Sequence, residues 1–234
     1  MRYLLSAVAA FLLVGQLSTA WGASKQEERF AKSAEVFQQI MDTPDKGIPT
    51  DLLARAACIG IIPGVKKFAF GFGGRHGAGF VLCRKNRGQG PWGPPSGFSL
   101  SGGSFGLQLG FSATDYVLLF MNADGVDKLL SDKFTLGASA AVAAGPVGRT
   151  AEAATDAQMT AKILSYSRSK GLFAGLALEG AVLKPSGGDN KALYGRKVDP
   201  RDLLLTGNIA PPPSAGPLIE ILSRYSGRKT RKAP

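Results

Sequence analysis

Glycine is spread through the apolar segments of this chain, and that placement limits the folds it can adopt. The sequence contains 31 glycines, and in residues 165–180 they alternate with small, basic and apolar residues. A strand that passes close to a neighbour accepts glycine, because glycine has no side chain to obstruct the approach. Glycine also destabilises the interior of long helices. The chain is therefore expected to be rich in tight strands and turns.

Alternating patterns predict several strands with short connections. Phe68, Phe70 and Phe72 alternate with smaller residues, which is the period of two expected of a strand. The glycine-rich stretch 73–77 then predicts a turn, and 79–84 predicts the returning strand of a hairpin. Segment 135–144 fits a strand or a helix, and a strand is favoured. Other strands are predicted at 98–109, 115–121, 163–170 and 172–183.

Helices are predicted towards both ends of the chain. Apolar residues at helical spacing predict a helix at 25–41 that packs its apolar side on the sheet. Thr50 can cap a second helix that ends before Pro63, and Ser214 can cap the last helix. Shorter helices are predicted at 123–132 and 199–205. The predicted fold is a single α+β domain, with a curved antiparallel or barrel-like sheet on which the N-terminal and C-terminal helices pack.

The N-terminal residues have the pattern of a secretory signal. Arg2 precedes an apolar stretch at 4–14, and small residues follow near 20–23, where a signal peptidase would cleave. The alternative is an uncleaved N-terminal anchor. We predict an exported protein, periplasmic or secreted and peripherally associated with a membrane. The predicted divisions are a signal peptide at 1–22, a domain at 23–226 and a basic, disordered tail at 227–234.

Cys58 and Cys83 are the only cysteines of the chain. In an oxidising compartment they can form a disulfide, which would stabilise the fold by roughly 3 kcal/mol in the chain-entropy model. The alternative is two separate buried cysteines. A metal site is not expected, because His76 is the only histidine and the cysteines lack the spacing of metal ligands.

Several ordered blocks of sequence resemble a known family. The blocks are residues 61–67, 102–108, 114–119, 145–149 and 165–180. Together they resemble the SYLF domain, a lipid-binding module of eukaryotic endocytic and actin-patch proteins that is common in bacterial secreted proteins. The resemblance extends over roughly residues 30–226 and implies membrane-lipid binding without catalysis. Because eukaryotic relatives bind actin, it also implies that protein partners are within the reach of the family.

Positive charge is concentrated in one part of the chain. The formal net charge is +11, and no acidic residue occurs between Asp51 and Asp115. The candidate lipid-binding residues within this span are Lys66, Lys67, Arg75, Arg84, Lys85 and Arg87. The predicted hairpin would bring the first two close to Arg84 and Lys85, and would place Arg75 at its opposite, turn end.

A basic cluster of this kind suits partners that carry phosphate. Phospholipid or phosphoinositide headgroups, lipopolysaccharide and nucleic acid share that chemistry; given the resemblance, a membrane surface is favoured and nucleic acid is not expected. The alternative is an ordinary solubilising face. Stable membrane binding also needs an apolar contribution, for which Trp92 in its loop is one candidate. The helix at 25–41 is a weaker candidate, because its charges cancel.

Two catalytic patterns occur in contexts that do not support catalysis. Ser104 lies in a G-x-S-x-G pattern at 102–106, but a strand-like segment follows it and His76 precedes it in the chain. Residues 167–170 fit S-x-x-K on a predicted strand, without partner motifs. We therefore predict a protein that is not an enzyme and holds no cofactor.

Glu179 is the unusual residue of the last block, because it is an acid in an apolar stretch. A buried carboxylate needs a partner, so Arg168 or Lys170 is expected to pair with it in a structural role. The predicted function is the binding of anionic membrane lipids in the cell envelope. The alternative is an envelope structural or interaction protein that binds a protein partner through its glycine-rich strands or the proline connector 211–213.

Overall fold

A computed structural model gives the fold of the domain. The structure describes residues 24–43, 47–70, 72–105, 110–122, 124–131, 133–148, 161–169, 171–176 and 178–227. The predicted signal peptide, Lys170 and almost all of the predicted tail lie outside these residues. Within them, no helix is long and apolar enough to span a bilayer.

The described residues form one sheet of nine strands with helices packed on it. The strands are β1 (Cys58–Phe70), β2 (Phe72–Cys83), β3 (Ser96–Phe105), β4 (Gly110–Phe120), β5 (Phe134–Thr135), β6 (Val142–Ala144), β7 (Ile163–Ser169), β8 (Leu172–Gly175) and β9 (Val182–Pro185). The helices are α1 (Lys25–Met41), α2 (Thr50–Arg55), α3 (Lys85–Gly88), α4 (Asp124–Leu129), α5 (Gly187–Tyr194) and α6 (Gly216–Tyr225). A π-helical turn at Asp202–Thr206 and a 3-10 turn at Pro213–Ala215 complete the described elements.

The sheet has the strand order β5–β9–β3–β2–β1–β4–β7–β6, and β8 pairs with β7 at the side of this path. It curls into a half-barrel, which confirms the predicted α+β class and curvature. The named strands pair antiparallel, as predicted, except that β6 runs parallel to β7. The strand predicted at 135–144 is instead two short strands, β5 and β6, with a turn between them.

Both faces of the sheet are covered where the central strands are buried. Cys58 and Ile62 face one core with Leu118, while Ile59 and Ile61 face the other core. This alternation follows from the two-residue period of a strand. β-branched residues on both faces favour strand over helix. The second helix therefore ends at Arg55 rather than near Pro63, and β1 begins at Cys58.

A β-bulge at Pro63 and Gly64 separates the buried part of β1 from its continuation. Gly64 has a φ of +58°, a conformation that glycine adopts without strain. On β2, a Cβ atom at Gly79 would lie 2.0 Å from the carbonyl oxygen of Ile61. Glycine is needed at Gly79 because the backbones approach closely there.

Helix α1 packs on the second of these cores, as its apolar pattern predicted. Ser24 and Glu27 form a capping box at its start. The Phe30 ring stacks on the Phe80 ring of β2, with centroids 3.8 Å apart. Helix α6 packs beside α1. Its start differs from the prediction, because Ser214 lies in the preceding 3-10 turn and makes no side-chain cap.

Candidate functional site

The register of β1 and β2 changes the predicted arrangement of the cations. β1 and β2 stay paired as far as Phe70 and Phe72, and the glycines expected to form the turn lie within β2. Lys66 therefore pairs with His76, and Lys67 pairs with Arg75. The prediction that both lysines lie near Arg84 and Lys85 was wrong. At the rise of a β-strand, eight residues place His76 roughly 25 Å from Arg84 along β2.

Arg84 does not belong to the candidate surface, because it is only 7% exposed. Its guanidinium donates to the carbonyl oxygens of Leu53, Ala56 and Gly90, and at 2.7 Å to that of Ser226. Charge-assisted hydrogen bonds of this kind satisfy a buried cation. Arg84 therefore ties the start of β1 to the end of α6 and has a structural role.

Trp92 is also excluded as an exposed apolar anchor. It is 5% exposed, and its indole N–H donates to the hydroxyl of Ser226 at 2.9 Å. The Arg84 guanidinium lies over its ring, 4.4 Å from the centroid. The expectation that this loop presents Trp92 to solvent was wrong, because the ring completes the packing around the buried guanidinium.

The two remaining cations of the predicted cluster lie beside this buried region. Lys85 is half-buried at the start of α3, and its side chain lies close to Gly207. Arg87 lies within α3, and its side chain is outside the described part of the structure. The structure thus brings together Lys66, Lys67 and Arg75, and leaves Arg84, Lys85 and Arg87 at the other end of the strands.

Beyond the bulge, the pairing of four strands continues into a part of the sheet that we call the open arm. It consists of residues 66–70, 72–77, 101–105 and 110–114 of β1, β2, β3 and β4. Phe68 and Phe111 face each other across β1 and β4, and they are 61% and 67% exposed. Their exposure was not predicted. Phe68 pairs with Gly74, which has no side chain to cover the ring, but this pairing depends on the register and not on the local pattern.

Cations lie on both faces of the open arm near the phenylalanine pair. Lys66 is exposed and lies two residues from Phe68, so both occupy the same face of β1. Lys67 and Arg75 are half-buried neighbours on the opposite face. The Arg75 side chain lies against Gly102. No acidic residue occurs in the sequence of the open arm, so no carboxylate of the arm itself neutralises these cations.

At the base of the open arm, Arg168 pairs with Asp115 and not with Glu179 as predicted. Its Nε and Nη2 atoms donate to Asp115 Oδ2 at 3.1 and 2.9 Å, and Nη1 donates to Gln39 of α1. The other Asp115 oxygen accepts from the Gly64 N–H at 2.8 Å. This network fixes the bulge because Arg168 and Asp115 are paired across β7 and β4.

Glu179 lies instead in an exposed turn before Gly180, which has a φ of +74°. The continuous strand predicted at 172–183 is interrupted there, which separates Glu179 from the basic side chains of β7. The buried environment that would have required a partner is therefore absent at this described residue.

The G-x-S-x-G pattern does not form a strand-to-helix elbow in the described residues. Ser104 pairs with Gly73 inside β3, and the next described element is the strand β4. His76 is exposed on β2 and pairs with Ser101. Among the described residues, no group of three or more His, Cys, Asp or Glu side chains is arranged to hold a metal ion.

The disulfide predicted between Cys58 and Cys83 is confirmed. The two residues face each other at the start of β1 and the end of β2. Cys58 lies in β1, although the second helix was predicted to extend beyond it. The bond closes the hairpin at the end opposite to the open arm.

Comparison with known proteins identifies the family of this domain. A family model described as Ysc84, Las17-binding protein actin regulator, matches residues 101–225, from within β3 to the end of α6. The chain belongs to the Ysc84 (SYLF) family. The predicted resemblance is thus confirmed, and the match includes the β3 and β4 strands of the open arm.

Individual members of the Ysc84 family are similar over most of this chain. "LAS seventeen-binding protein 3" of Saccharomyces cerevisiae is 37% identical over 204 residues, which are 86% of this chain and 42% of the relative. "Protein YSC84" of the same organism is 35% identical over 213 residues, 89% of this chain and 43% of the relative. "SH3 domain-containing YSC84-like protein 1" of Bos taurus is 32% identical over 204 residues, 86% and 59% of the two chains. The chain thus spans less than two thirds of the length of these relatives.

Proposed function

We propose that this protein binds anionic membrane lipids, without catalysis, through the open arm. The observation that carries the proposal is the combination of an exposed phenylalanine pair with neighbouring cations and no acidic residue on the arm. Phe68 and Phe111 supply apolar surface, and Lys66, Lys67 and Arg75 supply positive charge. Phospholipid and phosphoinositide headgroups offer the complementary negative charge.

The magnitude of the electrostatic attraction is consistent with reversible binding. A basic residue close to an anionic membrane contributes about 1 kcal/mol. Lys66, Lys67 and Arg75 together would contribute up to about 3 kcal/mol on this basis. Such attraction gives stable attachment only when an apolar contribution is added to it. The phenylalanine pair supports the proposal because it provides that contribution on the same part of the sheet.

We further propose that the protein works in the cell envelope, outside the reducing cytosol. The Cys58–Cys83 disulfide supports this location, because such bonds persist in oxidising compartments. The predicted export signal at 1–22 is consistent with it. Protein isolated from the periplasm should show no thiol that reacts with an alkylating reagent before reduction, and two reactive thiols in the folded protein would contradict the location.

The absence of catalysis is part of the proposal. Ser104 lies within a strand of the arm and His76 is exposed three register positions away, so the described geometry offers no nucleophile elbow. The description of the matching family names binding and regulation. A fluorophosphonate probe should leave Ser104 unlabelled, and stoichiometric labelling would contradict this part of the proposal.

Vesicle co-sedimentation tests the lipid-binding proposal. The protein should bind vesicles that contain phosphatidylglycerol more tightly than vesicles of phosphatidylcholine alone, and the affinity should fall with salt as the Debye length shortens. The double variant Lys66→Glu/Lys67→Glu should lose roughly thirtyfold or more in affinity, because two attractive charges become repulsive.

A matched control makes the same change of net charge elsewhere. Lys191 in α5 and Lys197 after it are exposed. Helix α5 lies at the buried end of β3, where its Asn190 side chain accepts a hydrogen bond from the backbone N–H of Gly97. The variant Lys191→Glu/Lys197→Glu should bind almost like the unaltered protein. Equal losses in both double variants, or equal binding of the unaltered protein to neutral and anionic vesicles, would contradict binding through the open arm.

A second candidate function is the binding of a protein partner. It is favoured by the comparison, because the matching family is described as Las17-binding and one relative is named for that binding. On this chain the proline connector at 211–213, which includes the exposed Pro211 and Pro213, is one accessible segment. Titration of the immobilised protein with purified Las17 would test it; saturable binding would support this candidate, and no binding would argue against it.

A further inference from the structure

The most exposed large apolar side chains of the described residues gather at one end of the sheet. They are Leu172, which is 79% exposed, Phe111 and Phe68. Phe68 and Phe111 lie on the open arm, and Leu172 begins β8 at the neighbouring turn, where it pairs with Ser169 of β7. Because β7 runs antiparallel to β4 and pairs Arg168 with Asp115, this turn lies at the same end as the arm.

The positive charges beside this apolar end favour one kind of binding partner. A contiguous exposed apolar patch marks a site of interaction. A second protein would need carboxylates to match Lys66 and Lys67, and a second copy of this chain would bring the same cations into contact. An anionic bilayer offers hydrocarbon to the rings and phosphate to the lysines, and the long lysine side chains can reach outward while their stems stay in apolar surroundings.

The backbone of the arm limits how deeply it can enter a bilayer. β4 pairs with β7 at residues 115–120, whereas its arm segment 110–114 pairs only with β1 among the described residues. On the other side, β3 pairs with β9 only at residues 98–101. Hydrogen-bonding groups on such edges cannot be left unpaired in hydrocarbon. The rings can therefore enter, but the outer strands must stay close to the headgroups.

We propose that the open arm inserts shallowly into the interface of an anionic membrane, through the face that carries Phe68 and Phe111. The two rings pass below the phosphates, Leu172 rests beside them, and Lys66 on the same face stays at the phosphate level. Because the rings enter from the face of the sheet, the backbone of β1 and β4 stays near the headgroups, which matches shallow burial at the acyl boundary. This inference rests on the proposed lipid binding and adds the apolar contact, the depth and the orientation of the strands.

Depth-dependent quenching tests the insertion. In the variant Phe111→Trp, the new indole should shift its emission to shorter wavelength on phosphatidylglycerol vesicles. Lipids brominated near the headgroup should quench it more strongly than lipids brominated near the chain end. The control Leu205→Trp places an indole at a partly exposed position near the disulfide, remote from the arm. That indole should show neither effect, once the signal of the unaltered protein is subtracted from each.

A second variant separates insertion from charge. Phe68→Ser/Phe111→Ser keeps every cation, and it should lower the affinity for anionic vesicles roughly tenfold or more while leaving the thermal unfolding midpoint unchanged. Undiminished binding of this variant together with an unquenched Phe111→Trp would overturn insertion and leave electrostatic lipid binding intact. A dimer in solution that this variant dissolves would also overturn it, in favour of a second copy as occupant. If the unaltered protein binds no anionic vesicle, the proposed function itself fails.

Discussion

The two ends of the β1–β2 hairpin differ in how far their side chains are buried by other elements. At the closed end, residues 58–62 and 80–83, side chains are buried on both faces and a disulfide joins the strands. At the open arm, the same strands continue beyond the bulge at Gly64, and Phe68 is exposed. Both ends belong to continuous strands with well-defined pairing, so strand formation does not decide burial.

The difference shows that residues distant in sequence decide which strand residues are buried. Phe80 is buried because Phe30 of α1 stacks on it, and Arg84 is satisfied because the end of α6 reaches it. The strand pattern alone gives Phe68 and Phe80 the same character. We interpret the closed end as the part that stabilises the fold, and the open arm as a surface kept for binding.

The largest expected effect comes from truncating a phenylalanine at each end. Phe80→Ala should lower the free energy of unfolding by about 4 kcal/mol, because it removes a fully buried ring and leaves a cavity. Phe68→Ala should change it by no more than about 0.5 kcal/mol, since that ring is exposed. Urea unfolding monitored by circular dichroism measures both. Similar losses in the two variants would break the contrast between the ends.

Arg84→Ala should cost roughly 3 kcal/mol of unfolding free energy. The substitution removes a buried cation and leaves backbone carbonyl oxygens of the closed end without their donor. Arg196→Ala, at an exposed position after α5, is the control and should cost no more than about 0.5 kcal/mol. Folded Arg84→Ala protein, assayed below its unfolding midpoint, should keep its affinity for anionic vesicles. A selective loss of affinity without destabilisation would return Arg84 to the binding surface.

A smaller, pH-dependent effect is expected where α1 is held over the closed end. Burial of the Asp189 carboxyl opposes ionisation, but hydrogen bonding by Ser186 and Gln26 and the charge of Arg29 outweigh it and lower the pKa of Asp189. Because the folded pKa is lowered, the stabilisation is complete above the unfolded value, near pH 4, and is lost as the pH falls through the folded pKa.

The corresponding measurement compares unfolding free energies across pH. Asp189→Asn should cost about 1 kcal/mol or less at neutral pH, and the difference from the unaltered protein should shrink below about pH 4. Glu220→Gln is the control, because Glu220 forms an exposed pair with Arg224 in α6. A difference for Asp189→Asn that stays constant down to pH 2 would show that the carboxylate charge does not hold α1.

Local patterns predicted much of the fold and less of the site. The helical period of α1 and the apolar pattern of β7 depend on neighbours in sequence, so these elements were predicted close to their positions. The start of β1 was not, because residues 58–62 were assigned to the preceding helix. The paired cysteines could be proposed because export permits a disulfide. The hairpin turn was misplaced, because glycines at 73–77 fit a turn and a narrow strand equally well; only the long pairing with β1 and β3 decides between them.

The predictions about the site residues also depended on whether a contact is local or long-range in sequence. The sequence shows the basic span, but the strand register decides which of its cations lie together. The register places Lys67 beside Arg75, whereas Arg84 is buried in the interior. Burial of Arg84 requires carbonyl groups from α2, a loop and the end of α6. The Asp115–Arg168 pair joins strands far apart in sequence. No local pattern encodes these contacts.

Hydrogen–deuterium exchange with and without vesicles tests most directly that the open arm is the membrane-binding end. On adding phosphatidylglycerol vesicles, amide exchange should slow in the arm segments 66–69, 73–77, 101–104 and 111–114, and should stay unchanged at the closed end and in α1. Phosphatidylcholine vesicles should change neither region. Protection that appears in α1 while the arm exchanges as before would contradict the account and assign membrane binding to the helical side of the molecule.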